Sequence, residues 1–405
     1  MQSWQSVPIV KTLANHKKIQ SFLGEICELA ERKRRAGETD LSWVLLLRHS
    51  FKRDIDDLSR ITSILTGSVS TTLQEVIDLS PGEISHFMDL LQSFIDRRVG
   101  AHRQMERFLQ KVVRESGQLP KYLFITGVKR TGENPVGGGG FSDVWEGDVG
   151  GKRVALKVIR RFGLASPQHE LHQDFCKESM IWRQFRHQNV LPFYGVCTDE
   201  FSPQLAMVSP WMENGNVISY LKSNPSTNRR TLILGISLGL QYLHSLKPQV
   251  VHGDLRAANV LVTKTGRPML ADFGLAKIID SQATSVVGAS FNGKGAMRWQ
   301  APELLDSSRF DGVPCVLTTC SDIYAFSSVC LKVFTEEPPF AHLRDGPVLM
   351  EVVIHDRRPP RPSEPALQRG LDDNMWKLMQ DCWANSPTDR PSIDGIVDVL
   401  SKGCL

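Results

Sequence analysis

Apolar residues recur with a helical period through the first part of the chain and with short, strand-like runs after it. Ile19, Phe22, Leu23 and Ile26 are spaced i, i+3, i+4, i+7. So are Ile84, Phe87, Met88 and Leu91, and then Met105, Phe108, Leu109 and Val112. Residues at those spacings share one face of an α-helix, so helices are expected between about Leu13 and Val113. Ser80-Pro81-Gly82-Glu83 adds a start signal: a capping hydroxyl, a proline at the first helical position and an acid in the first turn. Apolar stripes of this kind bury against one another by default, which points to a small helical bundle ending at Gly117 to Pro120. Past Pro120 the texture changes. Strands are expected over Tyr122 to Val128, Val144 to Glu146 and Arg153 to Ile159, with a turn at Asp148 to Gly151. A helix is expected from Asp174 to Phe185, and helices dominate after about Pro210. No internal repeat or long low-complexity segment interrupts this order.

Bulk composition narrows the class only a little. The 405 residues are 41% hydrophobic and 23% charged, ordinary for a globular protein, and the length suits two or three domains. A net charge of +4, from 48 basic and 44 acidic residues, is too mild to argue for nucleic acid, and no zinc-finger or RNA-binding spacing occurs. The short run Arg32 to Arg35 reads as a solvated helix end. Met1 to Lys18 lacks the continuous apolar stretch of a secretory signal. The longest apolar run, Trp43 to Leu47, is far below the ~20 residues of a membrane span, so none is expected. The eight cysteines are scattered with no Cys-x-x-Cys pair. They read as reduced thiols, which places the chain in the cytosol or nucleus.

Chemistry first appears at Gly137-Gly138-Gly139-Gly140-Phe141-Ser142-Asp143-Val144. Glycines let backbone N–H groups approach phosphate oxygens with no Cβ in the way. No Gly-Lys-Ser/Thr follows, so this is not a Walker loop. A strand rather than a helix comes next, so it is not a dinucleotide fingerprint either. The strand after it reads Arg153-Val154-Ala155-Leu156-Lys157-Val158-Ile159. Alternation puts Ala155 and Lys157 on one face and Val154, Leu156 and Val158 on the other. A lysine amid apolar residues in mid-strand is an edge gatekeeper or a phosphate ligand, and the glycine loop favours the ligand. Glu178, on the next helix, is within range to pair with Lys157, although its spacing alone reads as a solvated helix residue.

The most informative stretch runs from Val250 to Gly274. Val260 to Thr263 and Pro268 to Ala271 read as two strands joined by a turn containing Gly266. Asn259 precedes the first strand and Asp272 follows the second, so a hairpin brings both to its open end. An amide oxygen and a carboxylate there are hard ligands suited to Mg2+ carrying a nucleotide. Asp254 lies five residues before Asn259, placed to accept a proton from a substrate hydroxyl.

Together these residues resemble the eukaryotic protein kinases, and Met297-Arg298-Trp299-Gln300 before Ala301 resembles the tyrosine-kinase-like branch. The matching motifs are Val154-Ala155-Leu156-Lys157, His252-Gly253-Asp254-Leu255-Arg256-Ala257-Ala258-Asn259, Asp272-Phe273-Gly274 and Ala301-Pro302-Glu303. Ser321-Asp322-Ile323-Tyr324-Ala325-Phe326, Asp381-Cys382-Trp383 and Arg390-Pro391 match further on, so the resemblance covers about Pro120 to Leu400. It implies an α+β, two-lobed protein kinase fold: an antiparallel sheet with one helix in the N-lobe and a mainly helical C-lobe. Residues 1–120 would form a helical regulatory or interaction region, offering a surface to a helical partner, and residues 121–402 the kinase domain.

The same resemblance implies the roles. ATP and Mg2+ would be the cofactors and protein hydroxyls the acceptors, serine or threonine ahead of tyrosine. Lys157 would contact the phosphates, Glu178 would anchor it, and Asp254 would be the base with Arg256 beside it. Asn259 and Asp272 would hold the metal. Gly137, Gly139, Phe141 and Ser142 would cover the phosphates, with Asn216 lining the nucleotide site. Val144, Ala155 and Leu261 would sandwich the adenine, with Met212 at its edge and Ser209 as gatekeeper. Glu303 would pair with Arg390, Asp322 would brace the catalytic loop, and Trp182, Phe193, His252 and Phe273 would stack as one spine. Four positions depart from the family pattern: Ser142 for a glycine, Gly253 for the arginine of His-Arg-Asp, Arg256 for a lysine, and Ala296 for threonine or proline. None removes an atom that binds nucleotide or metal. An ATP-binding pseudokinase acting as a scaffold is the competing reading. It is disfavoured because Lys157, Glu178, Asp254, Asn259 and Asp272 are all present.

Overall fold

Ser80 begins the first well-marked helix as its sequence suggests. Its backbone N–H and its hydroxyl both donate to Glu83 Oε2, at 3.0 and 2.6 Å. The Glu83 carboxylate thereby satisfies an N–H that the helix start would leave orphaned. This computed structural model describes residues 28, 32, 69–96, 102–138, 142–160, 168–202, 204–274, 276–278, 296–306 and 316–402. The stripe from Ile19 to Ile26, the run Arg32 to Arg35 apart from Arg32, and Trp43 to Leu47 lie outside them. The chain divides into two units, one of residues 1–124 with 167–177, the other of 125–166 with 178–405.

In the first unit, α1 (Val69–Ile77), α2 (Pro81–Asp96) and α3 (His102–Ser116) pack through the expected stripes. Phe87, Met88 and Leu91 of α2 and Met105, Phe108, Leu109 and Val112 of α3 are all buried. Each such side chain contributes roughly 1.5–3 kcal/mol by leaving water. The rings of Phe87 and Phe108 meet edge to face at 6.2 Å. Behind α3, Gly117 offers its carbonyl to the His172 ring, and the Arg114 carbonyl accepts from Gln173 Nε2 at 3.2 Å.

The second unit has two lobes. One lobe is an antiparallel sheet in the order β1-β3-β4-β6-β5, with β2 paired to β3. Its strands are β1 (Val128–Thr131), β2 (Gly137–Gly138), β3 (Ser142–Val149), β4 (Lys152–Ile159), β5 (Gly195–Cys197) and β6 (Ala206–Pro210). Tyr122 to Val128 is not a strand. Lys121–Leu123 is a 3₁₀ turn, and ladder pairing to β3 starts only at Val128, just past Gly127 at φ +75°. Ile125 donates a single bond to the Val196 carbonyl before that. The loop residue Ser142 already belongs to β3, opposite Ile159 of β4. Val154, Leu156 and Val158 of β4 enter the sheet core with Val128, Cys197, Ala206 and Val208. The helix α4 runs Gln168–Trp182, six residues earlier in start and three in end than Asp174 to Phe185.

The other lobe is mainly helical. After α5 (Val217–Ser223), α6 (Arg229–Ser245) and the two-residue β7 (Val250–Val251) comes the hairpin β8 (Val260–Val262) and β9 (Pro268–Leu270). Its turn holds Gly266 at φ +81°, where a Cβ would come 2.7 Å from Tyr220 Oη. β10 (Lys277–Ile278) pairs with β7, and α7 (Pro302–Leu305), α8 (Thr319–Thr335), α9 (Asp345–Leu349), α10 (Asp373–Cys382) and α11 (Ile393–Lys402) complete the lobe. The start of α8 is a reciprocal capping box between Thr318 and Ser321, which sets Asp322 in its first turn.

Candidate active site

Lys157 is where the elements converge. Its strand turns Ala155 and Lys157 to the face opposite the sheet core. From there Lys157 Nζ reaches Glu178 Oε1 at 2.7 Å and Asp272 Oδ1 at 2.6 Å. Glu178 is 5% exposed, so the solvated reading that its spacing alone allowed is overturned. Burial pushes the Lys157 ammonium toward losing its proton, but the two carboxylates outweigh it and raise its pKa above the ordinary lysine value. Burial likewise works against the charge on Asp272. Lys157, by charge and by hydrogen bond, holds that carboxyl below its ordinary pKa all the same. Asp272 sits at φ +66°, a conformation that a non-glycine residue keeps only where its surroundings impose it.

The hairpin sets the second half of the site. The N–H of Ala271 donates to the Asn259 carbonyl at 2.9 Å, tying the two arms at their open end. Asn259 Nδ2 donates to the backbone carbonyl of Asp254 at 2.8 Å and to its carboxylate Oδ2 at 3.0 Å. That fixes the amide, with its oxygen turned from Asp254. Arg256 Nε lies 3.3 Å from Asp254 Oδ2. Burial raises the Asp254 pKa, with the Arg256 charge opposing and the Asp272 charge adding to the rise.

The loop carrying Asp254 is held from beneath by Asp322, which is 2% exposed. Its carboxylate accepts the backbone N–H of His252 at 2.8 Å and of Gly253 at 3.0 Å, and contacts His244 Nε2 at 2.9 Å. Gly253 takes φ +79°, which suits a residue without a Cβ. His252 Nε2 donates to the Ala271 carbonyl at 3.2 Å, so its Nδ1 is the acceptor for the Asp254 N–H at 3.3 Å. The His252 and Phe273 rings are 5.3 Å apart, Phe273 and Trp182 5.8 Å, and Trp182 and Phe193 5.3 Å. These four residues therefore form the continuous stack expected of them. Glu303 and Arg390 form a two-pronged pair, 2.7 Å at each prong, with the Arg390 side chain fully buried.

The remaining expected site residues are placed as follows. Gly137 pairs with Val144, and Val144 lies across from Lys157. Ala155 lies across from Ser209 of β6, and Leu261 from Met269 in the hairpin. Met212 follows β6 and accepts the Gly215 N–H at 3.0 Å. Asn216 bridges to Leu261, but its side-chain oxygen caps α5, accepting from Ile218 and Ser219 at 3.0 Å each. Gly139 and Phe141 fall outside the described residues.

Several contacts escaped the sequence reading. Phe185 packs edge-on against Phe273 at 4.8 Å, and its i+3 spacing from Trp182 was the available signal. His244 shares Asp322, and nothing in its helical sequence context marks it. Arg160 Nε holds Asp143 of the glycine loop at 2.8 Å. Opposite charges at the two ends of a hairpin were the clue there.

The donor set fits magnesium and a nucleotide phosphate. Asn259 and Asp272 offer hard oxygens, and Lys157 offers a buried cation. Among the described residues no three His, Cys, Asp or Glu side chains cluster to hold a metal alone. A cation there needs phosphate or water oxygens to complete its shell, as magnesium sites that work on nucleotides do.

Comparison with known proteins agrees with this geometry. The chain is 27% identical to the serine/threonine-protein kinase STY17 of Arabidopsis thaliana over 67% of its own length and 44% of that protein. It is 28% identical to the serine/threonine-protein kinase TNNI3K of Rattus norvegicus, over 67% of this chain and 30% of that one. With the ephrin type-B receptor 3 of Danio rerio it shares 30% identity over 67% of this chain and 52% of that one. The chain thus spans about half or less of the length of these relatives. Residues 131–400 match the family described as protein tyrosine and serine/threonine kinase, and the chain belongs to that family.

Proposed function

We propose that the chain transfers the γ-phosphoryl group of ATP to serine or threonine hydroxyls of other proteins. The observation that carries this reading is the double engagement of Lys157 with Glu178 and Asp272, beside an Asn259 amide held by Asp254. Magnesium ATP supplies the phosphoryl group and the positive charge that offsets its oxygens when bound. Lys157, extended by Glu178, binds phosphate oxygens. Asn259 and Asp272 lend their oxygens to the metal. Asp254 orients the acceptor hydroxyl and takes its proton, helped by a pKa that burial has raised. Arg256 steadies the Asp254 carboxylate. The His252 tautomer and the Asp322 carboxylate keep the loop in register while this happens.

The likeness to STY17 and TNNI3K, both serine/threonine-protein kinases, supports serine or threonine as the acceptor. Residues 1–120 serve in this reading as a regulatory or interaction region, supported by their place in a compact unit of residues 1–124 and 167–177. In this reading the chain works in the cytosol or nucleus, an assignment that rests on its scattered cysteines without a Cys-x-x-Cys pair. Among the described residues, no helix is long and apolar enough to cross a membrane. The test is to incubate the full chain with labelled ATP, magnesium and a mixed protein substrate, and to identify the labelled amino acid. Phosphoserine or phosphothreonine is expected. Tight ATP binding with no transfer to any protein would contradict the reading.

A further inference from the structure

The cleft beside the catalytic loop has a charge bias that phosphoryl transfer does not require. Its volume is about 490 Å³. Four cationic side chains line it, Lys222 of α5, Arg256, Arg298 and Lys332 of α8, and no carboxylate does. Two of the four are already neutralised. Arg256 faces Asp254 at 3.3 Å, and Arg298 donates to Asp345 at 2.9 Å and to three backbone carbonyls. Lys222 and Lys332 have no ion pair among the described residues. Lys222 is exposed and Lys332 half-buried. Burial pushes the Lys332 pKa below its ordinary value. The charge of Glu337 opposes this, while that of Lys222 adds to it. The two ammonium groups therefore feel each other, and an anion between them would relieve both. Trp299 and Pro338 give the cleft an apolar wall for the stem of such a group.

We propose that this cleft reads an anionic side chain of the protein substrate, a carboxylate or a phosphorylated hydroxyl near the accepting residue, with Lys222 and Lys332 as the specificity-determining pair. The inference rests on the phosphoryl-transfer reading for its substrate. Arg256, on the cleft wall, is only two positions beyond Asp254, so an anionic group seated there lies close to the hydroxyl at the base. Partly exposed lysines attract anions in a salt-dependent way and without the fixed fork geometry of arginine, so the preference is for charge more than for one sequence.

The experiment uses the full chain with magnesium ATP and three serine peptides that differ only near the acceptor, where one carries glutamine, one glutamate and one phosphoserine. The kcat/KM ratio of each anionic peptide to the glutamine peptide is measured at low and high salt. Binding of the same peptides, fluorescently labelled, is followed by anisotropy. A ratio of about fivefold to tenfold is expected, falling with salt. In Lys222→Glu/Lys332→Glu the ratio should drop to one or below, while Lys222→Arg/Lys332→Arg should retain it. Whether glutamate or phosphoserine gains more identifies which anion the cleft takes. A ratio of one in the unaltered chain, or one that charge reversal leaves unchanged, would overturn the inference and leave the kinase reading standing. Failure to label any peptide would overturn the kinase reading instead. Anisotropy would then decide the inference by whether anionic peptides bind more tightly and lose that advantage on reversal. Should the double reversal fail to fold, Lys222→Gln on the exposed turn of α5 replaces it, and an unchanged ratio there counts against the inference.

Discussion

Asp322 accepts the backbone N–H of Gly253 at 3.0 Å, at the one position in the catalytic loop where φ reaches +79°. The same carboxylate takes the His252 N–H and faces His244. Asp322→Ala would leave two backbone donors and a histidine buried without their acceptor. Loss of such a buried charged partner costs about 3 kcal/mol or more. Thermal unfolding should therefore shift down by roughly 10 °C, with turnover falling alongside because the loop that carries Asp254 is unmoored. Asp322→Asn, which keeps one oxygen acceptor, should fall between the two. Melting curves and turnover on the three proteins check this.

The pH dependence follows from Asp254. As the proposed base, Asp254 must be ionised to act, and burial raises its pKa above the ordinary 3.8, so the acid limb of kcat/KM should lie above that value. Arg256 opposes the rise, so Arg256→Gln should move the limb to still higher pH. Asp272 has the opposite sign. Its pKa is lowered, so the stability it brings is fully present above its ordinary pKa and is lost as pH falls through the depressed one. A limb that stays in place in Arg256→Gln would separate Arg256 from the base.

Control by loop phosphorylation should be weak. In kinases with His-Arg-Asp, the arginine beside the aspartate needs a counter-charge, which a phosphate supplies. Gly253 brings no such charge here. Ser281, Thr284, Ser285 and Ser290, outside the described residues, are the modifiable hydroxyls of the segment. Phosphatase treatment, and alanine at all four positions, should leave specific activity within about twofold. A collapse in either would assign phosphate reading to another cation, such as Lys277. Arg160, another basic residue considered for that role, is already engaged by Asp143.

The first half of α4 belongs to the helical unit, where the Gly117 and Arg114 carbonyls engage His172 and Gln173. Glu178 stands on the same continuous helix. Expressing 125–405 alone should keep nucleotide binding but lower turnover severalfold, because the helix that presents Glu178 loses its packing partners. Equilibrium binding of a fluorescent nucleotide, set against turnover, checks the split. A folded fragment that binds no nucleotide would place the binding machinery in residues 1–124.

Legibility in the sequence tracked the range of each contact. The hairpin around Gly266 was readable because two short apolar runs and a glycine turn are local, and its geometry put Asn259 near Asp272 without any tertiary information. The facing of Lys157 was readable from strand alternation alone. Glu178 was not readable from spacing, because its place depends on meeting Lys157 on a strand 21 positions back. Only the family resemblance anticipated it. Tyr122 to Val128 misled because its apolar residues suit a strand. Pro120 and the turn after it instead leave a 3₁₀ segment whose ladder begins only past Gly127. Lys222 and Lys332 share a cleft only through the packing of α5 beside α8, which no local pattern announces.

The central claim is that Asp254 accepts the proton of a protein hydroxyl during phosphoryl transfer. Asp254→Asn keeps the size of the side chain, removes its basicity and leaves Lys157, Asn259 and Asp272 in place. Single-turnover phosphorylation of a serine peptide is measured beside nucleotide affinity and melting temperature in the same protein. The account predicts a loss of about 10²-fold or more in the transfer rate, with affinity and melting temperature close to those of the unaltered chain. Transfer at the unaltered rate in folded, nucleotide-bound Asp254→Asn would contradict it.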